Sequence, residues 1–198
     1  MLKKLFEKKT EYVKIYNNEF LGNFKVLKKT KNRWKVSRMS DNGSETNDIL
    51  NINPNLLTIK KLDFTTSCGI LFVYDNKFLI VKQLGDVYSY PKGKIETGET
   101  LQETAVREVE EEIGIKFPKE LLPKKHHTIS WFMERKFKIY HYFIYNLSDK
   151  EFNKYFNGKN TIPTKNLQEE EILWGGFVSY NDLQKKLSRR FFSILKHF

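Results

Sequence analysis

The sequence predicts a mixed α/β fold, on three observations. Two nearly unbroken apolar runs, Cys68–Tyr74 and Phe78–Val81, flank Asp75-Asn76, a dipeptide that tolerates the positive φ angles of a tight hairpin. From Leu101 to Ile113 the apolar residues switch to helical spacing, with Leu101, Ala105, Val109 and Ile113 in one stripe and Val106 beside it. Strand-like runs then return before a last amphipathic segment, residues 181–198. Neither run of the hairpin alternates with polar residues, so both faces of these strands should be covered.

Taken in order, Tyr12–Tyr16, Phe24–Leu27 and Trp34–Val36 read as strands, with Thr30-Lys31-Asn32 as a hairpin turn and Asp41-Asn42-Gly43-Ser44 as a loop. Residues 1–61 are therefore expected to form a small basic β-rich N-terminal extension, and residues 62–198 the main domain. Tyr90-Pro91-Lys92-Gly93-Lys94 is expected to be a loop, because Pro and Gly punctuate it. The helix after it should start at Thr100, which has capping-box spacing to Glu103, and stop at Gly114. His127–Trp131 and Phe137–Tyr145 read as a strand pair around Glu134-Arg135-Lys136. Residues 148–168 form a polar stretch long enough to be functional or mobile. Ile172–Val178 is the last strand, and Leu183, Leu187, Phe191, Ile194, Leu195 and Phe198 line one face of a terminal helix.

Composition excludes several classes. Of 198 residues, 39% are hydrophobic, an ordinary share for a globular chain, and no apolar run nears the ~20 residues that span a membrane. The start, MLKKLFEKKTEYVK, lacks the apolar core of a signal peptide, and Glu7 and Glu11 argue against a transit peptide. The expectation is a cytoplasmic protein with no membrane partner; the oligomeric state stays open. The single cysteine, Cys68, lies in an apolar run and reads as a small buried hydrophobe. Four histidines show no zinc spacing.

Charge divides unevenly. Residues 1–61 hold 14 Lys/Arg and 6 Asp/Glu, so +8 of the chain's +11 lies there. A basic extension with interleaved aromatics suits a polyanion such as RNA, or equally a small β core with a solubilising surface. Lys28, Lys29, Lys31, Arg33, Trp34 and Lys35 crowd one hairpin, and Lys29, Lys31, Arg33 and Trp34 are candidate substrate contacts. The extension is expected to pack beside the main domain's functional cleft. Strand alternation allows only part of this set to meet one ligand.

The helix breaks a local rule. Glu108, Glu110, Glu111 and Glu112 crowd its last turn, where the dipole favours cations. Glu108, Glu111 and Glu112, at i, i+3 and i+4, share one face, and three convergent carboxylates suit Mg²⁺ or Mn²⁺. The alternative is a solvated acidic face.

The segment Gly93–Ile115 resembles the Nudix box, G-x5-E-x7-R-E-U-x-E-E-x-G-U with U aliphatic. Gly93, Glu99, Arg107-Glu108-Val109, Glu111-Glu112 and Gly114-Ile115 occupy its nine fixed positions, and Glu110 and Ile113 fall on free ones. The resemblance implies an α/β/α sandwich with a mixed sheet over roughly residues 62–198. It also implies hydrolysis of a diphosphate linked to a further moiety, usually a nucleoside. By the same resemblance Glu108, Glu111, Glu112 and the Gly93 carbonyl match the family's metal ligands. Arg107 matches the arginine that orients the glutamates, and Glu99 the outer carboxylate. Lys92 and Lys94 flank the loop and could meet substrate phosphates. Many members carry a general base before the last strand, where Glu170 and Glu171 are the candidates.

Pro91-Lys92-Gly93-Lys94 is similar to the lead-in of mRNA-decapping members and also resembles the Pro-Lys-Gly-His of diadenosine polyphosphate hydrolases, and the chain's end looks somewhat like RNA 5′-end hydrolases. Capped or polyphosphorylated RNA 5′ ends are thus the expected substrate. Dinucleoside polyphosphates or diphosphoinositol polyphosphates are the alternative, and a non-catalytic RNA-binding module is a third reading.

Overall fold

The computed structural model describes residues 10–41, 43–133 and 135–197. Glu7, Asn42, Glu134 and Phe198, which entered the expectations above, lie outside the described residues. The chain forms two compact units. The first runs to Thr65 and takes in Ser130–Ile139; the second comprises Thr66–Ile129 and the chain from Tyr140 onward.

The first unit is built on β1 (Glu11–Asn17), β2 (Glu19–Lys29), β3 (Trp34–Met39), β4 (Glu45–Ile52) and the first half of β5 (Thr58–Tyr74). The strands lie in the order β5-β1-β2-β3-β4, each pair antiparallel. The turn between β2 and β3 is the expected one, closed by the Thr30 N–H donating to the Arg33 carbonyl at 2.9 Å. Alternation sends Val13, Ile15, Phe24 and Val36 to one face, where Val26, Trp34, Leu50, Ile52, Leu57 and Ile59 pack around them. The other face gathers Tyr12, Met39 and Leu62 with Phe137, and Phe64 and Phe132 beside them. Sequence reading missed β4 and the first half of β5. Both are mostly exposed and carry few adjacent apolar residues, so neither reads as a buried run.

The second unit continues through β5, β6 (Lys77–Gln83), β7 (Val87–Ser89), β8 (Lys92–Lys94), α1 (Leu101–Ile113), β9 (His127–Phe132), β10 (Lys136–Asn146), α2 (Asp149–Phe156), β11 (Ile172–Ser179), α3 (Tyr180–Lys186) and α4 (Arg189–Phe192). The tips of β9 and β10 belong to the first unit. β6 pairs with β5 and β11, β10 with β5 and β9, β7 with β6, and β8 with β5. At the β5–β6 turn Asp75 and Asn76 both take positive φ, 46° and 54°, as their dipeptide foretells.

One sheet face carries Cys68, Ile70, Phe72, Leu79, Val81, Phe143 and Phe177 against Ala105, Val109 and Ile113 of α1 and Phe152 and Phe156 of α2. On the opposite face Tyr140 and Tyr142 meet Phe191 of α4 edge-on, at ring centroid distances of 5.5 and 6.4 Å. Helices thus cover both faces, and the unit is an α/β/α sandwich. Cys68 is fully buried, as expected.

Three expectations need correction. The Tyr90–Lys94 loop contains β8, which pairs Lys92, Gly93 and Lys94 with Gly69, Cys68 and Ser67; Pro91 stops short of the ladder, so its missing N–H costs nothing there. The polar stretch 148–168 contains α2, started by a Ser148–Glu151 capping box and held by buried Phe152 and Phe156. Each such phenylalanine contributes about 1.5–3 kcal/mol on burial. The terminal helix is broken: α3 stops at Leu187, whose ψ of 143° is extended, and Ser188 starts α4. The apolar stripe continues across the break, which is why spacing alone hides it.

Candidate active site

α1 carries the glutamates at its C-terminal end because both of its ends are fixed. Thr100 Oγ1 accepts from the Glu103 N–H, and Glu103 Oε2 accepts from the Thr100 N–H at 3.0 Å. Gly114 closes the helix at φ 69°, a left-handed conformation that glycine adopts without a Cβ penalty. No basic residue sits in the last turn. The acidic crowding is instead neutralised by Arg107, one turn earlier.

Arg107 is the hub of the site. Its Nε and Nη2 donate to both oxygens of Glu99, at 2.7 and 3.0 Å. Nη1 donates to Glu108 and to Glu111, each at 2.8 Å, and Nη2 also reaches the Lys94 carbonyl at 2.8 Å. A planar guanidinium can serve three carboxylates and a carbonyl at once, which an ammonium cannot. Glu99 is held further by the Glu96 N–H at 3.0 Å and the Thr104 hydroxyl at 2.7 Å. The guanidinium, with these bonds, draws the Glu99 carboxyl down to a pKa of about 2 against the opposing effect of burial.

Glu112 lies on the inner side of the same helix end. It is 2% exposed, and its Oε2 accepts the Lys92 N–H at 3.0 Å. Burial pushes its pKa up to about 8, opposed by the Lys92 charge and N–H, while Glu108 and Glu171 raise it further. Burial also raises Glu108, against the pull of Arg107. A Cβ at 93 would lie 1.8 Å from Glu108 Oε2, so any larger residue there would displace the Glu108 carboxylate. The Glu108 carboxylate therefore rests directly against the Gly93 backbone.

The segment before β11 docks on this helix end. The Gln168 N–H donates to the Glu112 carbonyl at 3.3 Å, and the Glu171 carbonyl accepts from the Leu84 N–H at 3.1 Å. Glu171 is exposed and close enough to act on Glu112 electrostatically; no such link ties Glu170 to the cluster.

The structure thus brings together Gly93, Glu99, Arg107, Glu108, Glu111, Glu112, Glu171 and the backbone of Lys92 and Lys94. The Lys92 charge acts on Glu108 and Glu112, whereas Lys94 joins through its carbonyl. Lys29, Lys31, Arg33 and Trp34 lie in the first unit. There Lys29 is bound by Glu11 and sits 4.2 Å from the Trp34 ring centroid, and Trp34 packs on the core; Lys31 and Arg33 are exposed.

Sequence reading missed Thr104, Gln168 and Tyr142. Thr104, three residues before Arg107 on one helix face, could have been found by spacing. Tyr142 is fully buried with no hydrogen-bond partner for its hydroxyl among the described residues, and Glu112 acts on it electrostatically. No sequence pattern announces it.

The donors suit a hard divalent cation in kind, since all are oxygens and two of the carboxylates are withdrawn from water. Among the described residues no three acidic, His or Cys side chains stand ready-grouped for a metal, because Arg107 takes up oxygens of Glu108 and Glu111. Among them, too, no helix is long and apolar enough to cross a membrane.

Similar solved structures include a NUDIX hydrolase from Nitrosomonas europaea, with TM-score 0.51, 16% identity, and coverage of 67% of this chain and 86% of that one. The MutT protein from Methanosarcina mazei Go1 gives TM-score 0.51 and 18% identity over 69% of this chain and 93% of its own. A bifunctional NMN adenylyltransferase/ADP ribose pyrophosphatase from Francisella tularensis, complexed with AMP and a Mn ion, gives 0.50 and 14% over 69% and 41%. At these identities the likeness is one of fold. No curated protein sequence matches the chain. The sequence model of the NUDIX domain, however, matches residues 63–198, well over half the chain and inclusive of every group around Arg107. This chain belongs to the NUDIX domain family of hydrolases.

Proposed function

We propose that the protein is a Mg²⁺- or Mn²⁺-dependent hydrolase that cleaves a diphosphate linkage at the 5′ end of RNA. The observation that supports the chemistry is the Arg107 fork, which holds Glu99, Glu108 and Glu111 together beside buried Glu112. Glu108, Glu111, Glu112 and the Gly93 carbonyl are the oxygens that would hold the cation. When bound, a divalent cation neutralises phosphate charge and polarises the phosphoryl oxygens.

The remaining work falls to the chain's own groups. Arg107 restrains Glu108 through Oε1 and Glu111 through Oε2, leaving the other oxygen of each carboxylate outside the fork. Glu99 fixes Arg107. The Lys92 ammonium, already facing the carboxylates, is placed to meet a substrate phosphate. Glu171 is the better candidate for accepting the proton of the attacking water, because it is exposed and acts on Glu112; Glu170 shows no such link.

RNA as substrate draws its support from charge: +8 of the net +11 falls within residues 1–61. Such a surface binds a long polyanion more tightly than a dinucleotide. Glu111→Gln and Glu112→Gln test the chemistry. Each is expected to fold and to lose about 10³-fold or more in kcat with Mg²⁺ or Mn²⁺ present. Wild-type kcat in either variant would refute the assignment.

A further inference from the structure

We infer that the outer face of β1, β2 and β5 in the first unit, centred on Lys14, Tyr16, Phe20 and Lys60, is a stacking platform for single-stranded RNA. The inference rests on the RNA reading above, and it moves the contact surface away from the β2–β3 hairpin that composition singles out.

The hairpin is a poor stacking site. Its Trp34 packs on the unit's core, with one side taken by the Lys29 ammonium. Free aromatic surface lies elsewhere on the same sheet. Phe20 is 52% exposed, an unusual exposure for so large an apolar ring on a strand. Its ring centroid lies 5.4 Å from that of half-buried Tyr16.

The backbone is arranged to put these rings together. Along β1 and β2 the register runs from Glu11 opposite Val26 to Ile15 opposite Gly22, and Leu21 would come next, opposite Tyr16. A bulge intervenes, and Phe20 faces Tyr16 instead. Bulges re-aim side chains in this way and cost ladder hydrogen bonds, so one that exposes a phenylalanine calls for a reason.

Charge supplies the second, independent observation. Lys14 stands directly opposite Lys60 across the β1–β5 ladder. Like charges in that position destabilise a sheet. Three other basic residues of the unit are neutralised, Lys25 by Glu45, Lys29 by Glu11 and Arg38 by Asp48, whereas Lys31 and Arg33 of the hairpin, like Lys14 and Lys60, have no carboxylate partner among the described residues. The ammonium groups of Lys14 and Lys60 instead lie 5.9 Å from the Phe20 ring centroid and 5.1 Å from that of Tyr16. Lys28 opposite Lys35 repeats the like-charge pairing, but no exposed ring accompanies it. On the same face, Tyr12 and Leu62 are covered by Phe137 of their own unit, so the open part of the face is the part that carries the rings. Two ammonium groups without carboxylate partners beside two neighbouring rings, tilted 52° to each other, match the alternating phosphates and bases of a single strand. A duplex would hide its bases from this surface.

The test uses the full chain and a single-stranded 12-mer RNA with a 5′-hydroxyl, which offers no diphosphate to cleave. Binding is read by fluorescence anisotropy across a salt series, with a thermal melt of each variant. Lys14→Gln with Lys60→Gln should weaken binding at least tenfold and flatten the log Kd–log salt slope by about 0.7 per lysine. Phe20→Ser should weaken it roughly 5- to 100-fold with the slope unchanged. Inorganic polyphosphate of matched length should lose affinity for the lysine variant but not for Phe20→Ser. Wild-type RNA affinity in either folded variant overturns the inference, as does equal loss of polyphosphate and RNA binding in Phe20→Ser. Because this RNA cannot be hydrolysed, these outcomes are separate from failure of the hydrolase reading, which shows in turnover alone.

Discussion

Arg107 is the residue whose loss should reach furthest, since one guanidinium satisfies Glu99, Glu108, Glu111 and the Lys94 carbonyl. Arg107→Lys keeps the charge and loses the fork, leaving at least one of those carboxylates unbonded. At about 1.5–3 kcal/mol per hydrogen bond to a charged group, with some screening by solvent, urea unfolding should register a loss of roughly 2 kcal/mol. Glu99 and His141 each make stability depend on pH. Glu99 has a folded pKa of about 2 against an ordinary 4.5, so its stabilisation is present above pH 4.5 and lost as pH falls toward 2. His141 is lowered to about 4 from 6.5, by burial and by His126. The unfolded chain takes up that proton first, so the His141 contribution is present above pH 6.5 and lost between 6.5 and 4. Replacing His141 with Phe should remove that rise of unfolding free energy with pH, leaving the opposing fall that Glu112, raised to about 8, contributes above pH 4.5; an unchanged slope would show that His141 is not the group responsible.

At the scale of elements, α2 offers the cleanest check. Ser148 accepts the Glu151 N–H and Glu151 answers it, so Ser148→Ala should cost about 1 kcal/mol, read as a lower melting temperature. Before β11 two neighbouring glutamates separate by geometry: Glu171→Gln should lower kcat, and Glu170→Gln should lower it less, in parallel turnover assays. The reverse order would reassign the base. These elements also show where sequence suffices. α1 was legible down to its cap residues, because Thr100, Glu103 and Gly114 act through local hydrogen bonds and local φ. The Asp75-Asn76 hairpin was legible for the same reason. α2 carried the same capping signature at Ser148 and Glu151, but its polar flanks masked two buried phenylalanines. β8 and the Leu187 break were not legible, since each depends on what the backbone packs against and not on its own residues.

For the whole molecule, the box names the residues that gather around Arg107 in the candidate site, while neighbours such as Gln168 and Tyr142 come from chain segments that no local pattern joins to α1. Nor does any local pattern show that Ser130–Ile139 belongs with the first unit; Phe132 and Phe137 reveal it only by packing with Tyr12 and Leu62. Charge was legible as a sum, but the neutralisation of Lys25, Lys29 and Arg38 was not. With the contact surface on Lys14, Tyr16, Phe20 and Lys60, neutralising Lys29, Lys31 and Arg33 together should weaken binding of long RNA less than Lys14→Gln with Lys60→Gln does; the reverse order would return the contact to the hairpin. The central claim is hydrolysis at RNA 5′ ends, and the most direct measurement is kcat/KM on capped RNA, triphosphorylated RNA, free cap analogue and diadenosine polyphosphate, side by side with Mg²⁺ or Mn²⁺. One of the RNA substrates should exceed both small molecules by at least about tenfold, a difference of about 1.4 kcal/mol in transition-state binding. Equal or better kcat/KM on the small molecules would contradict it.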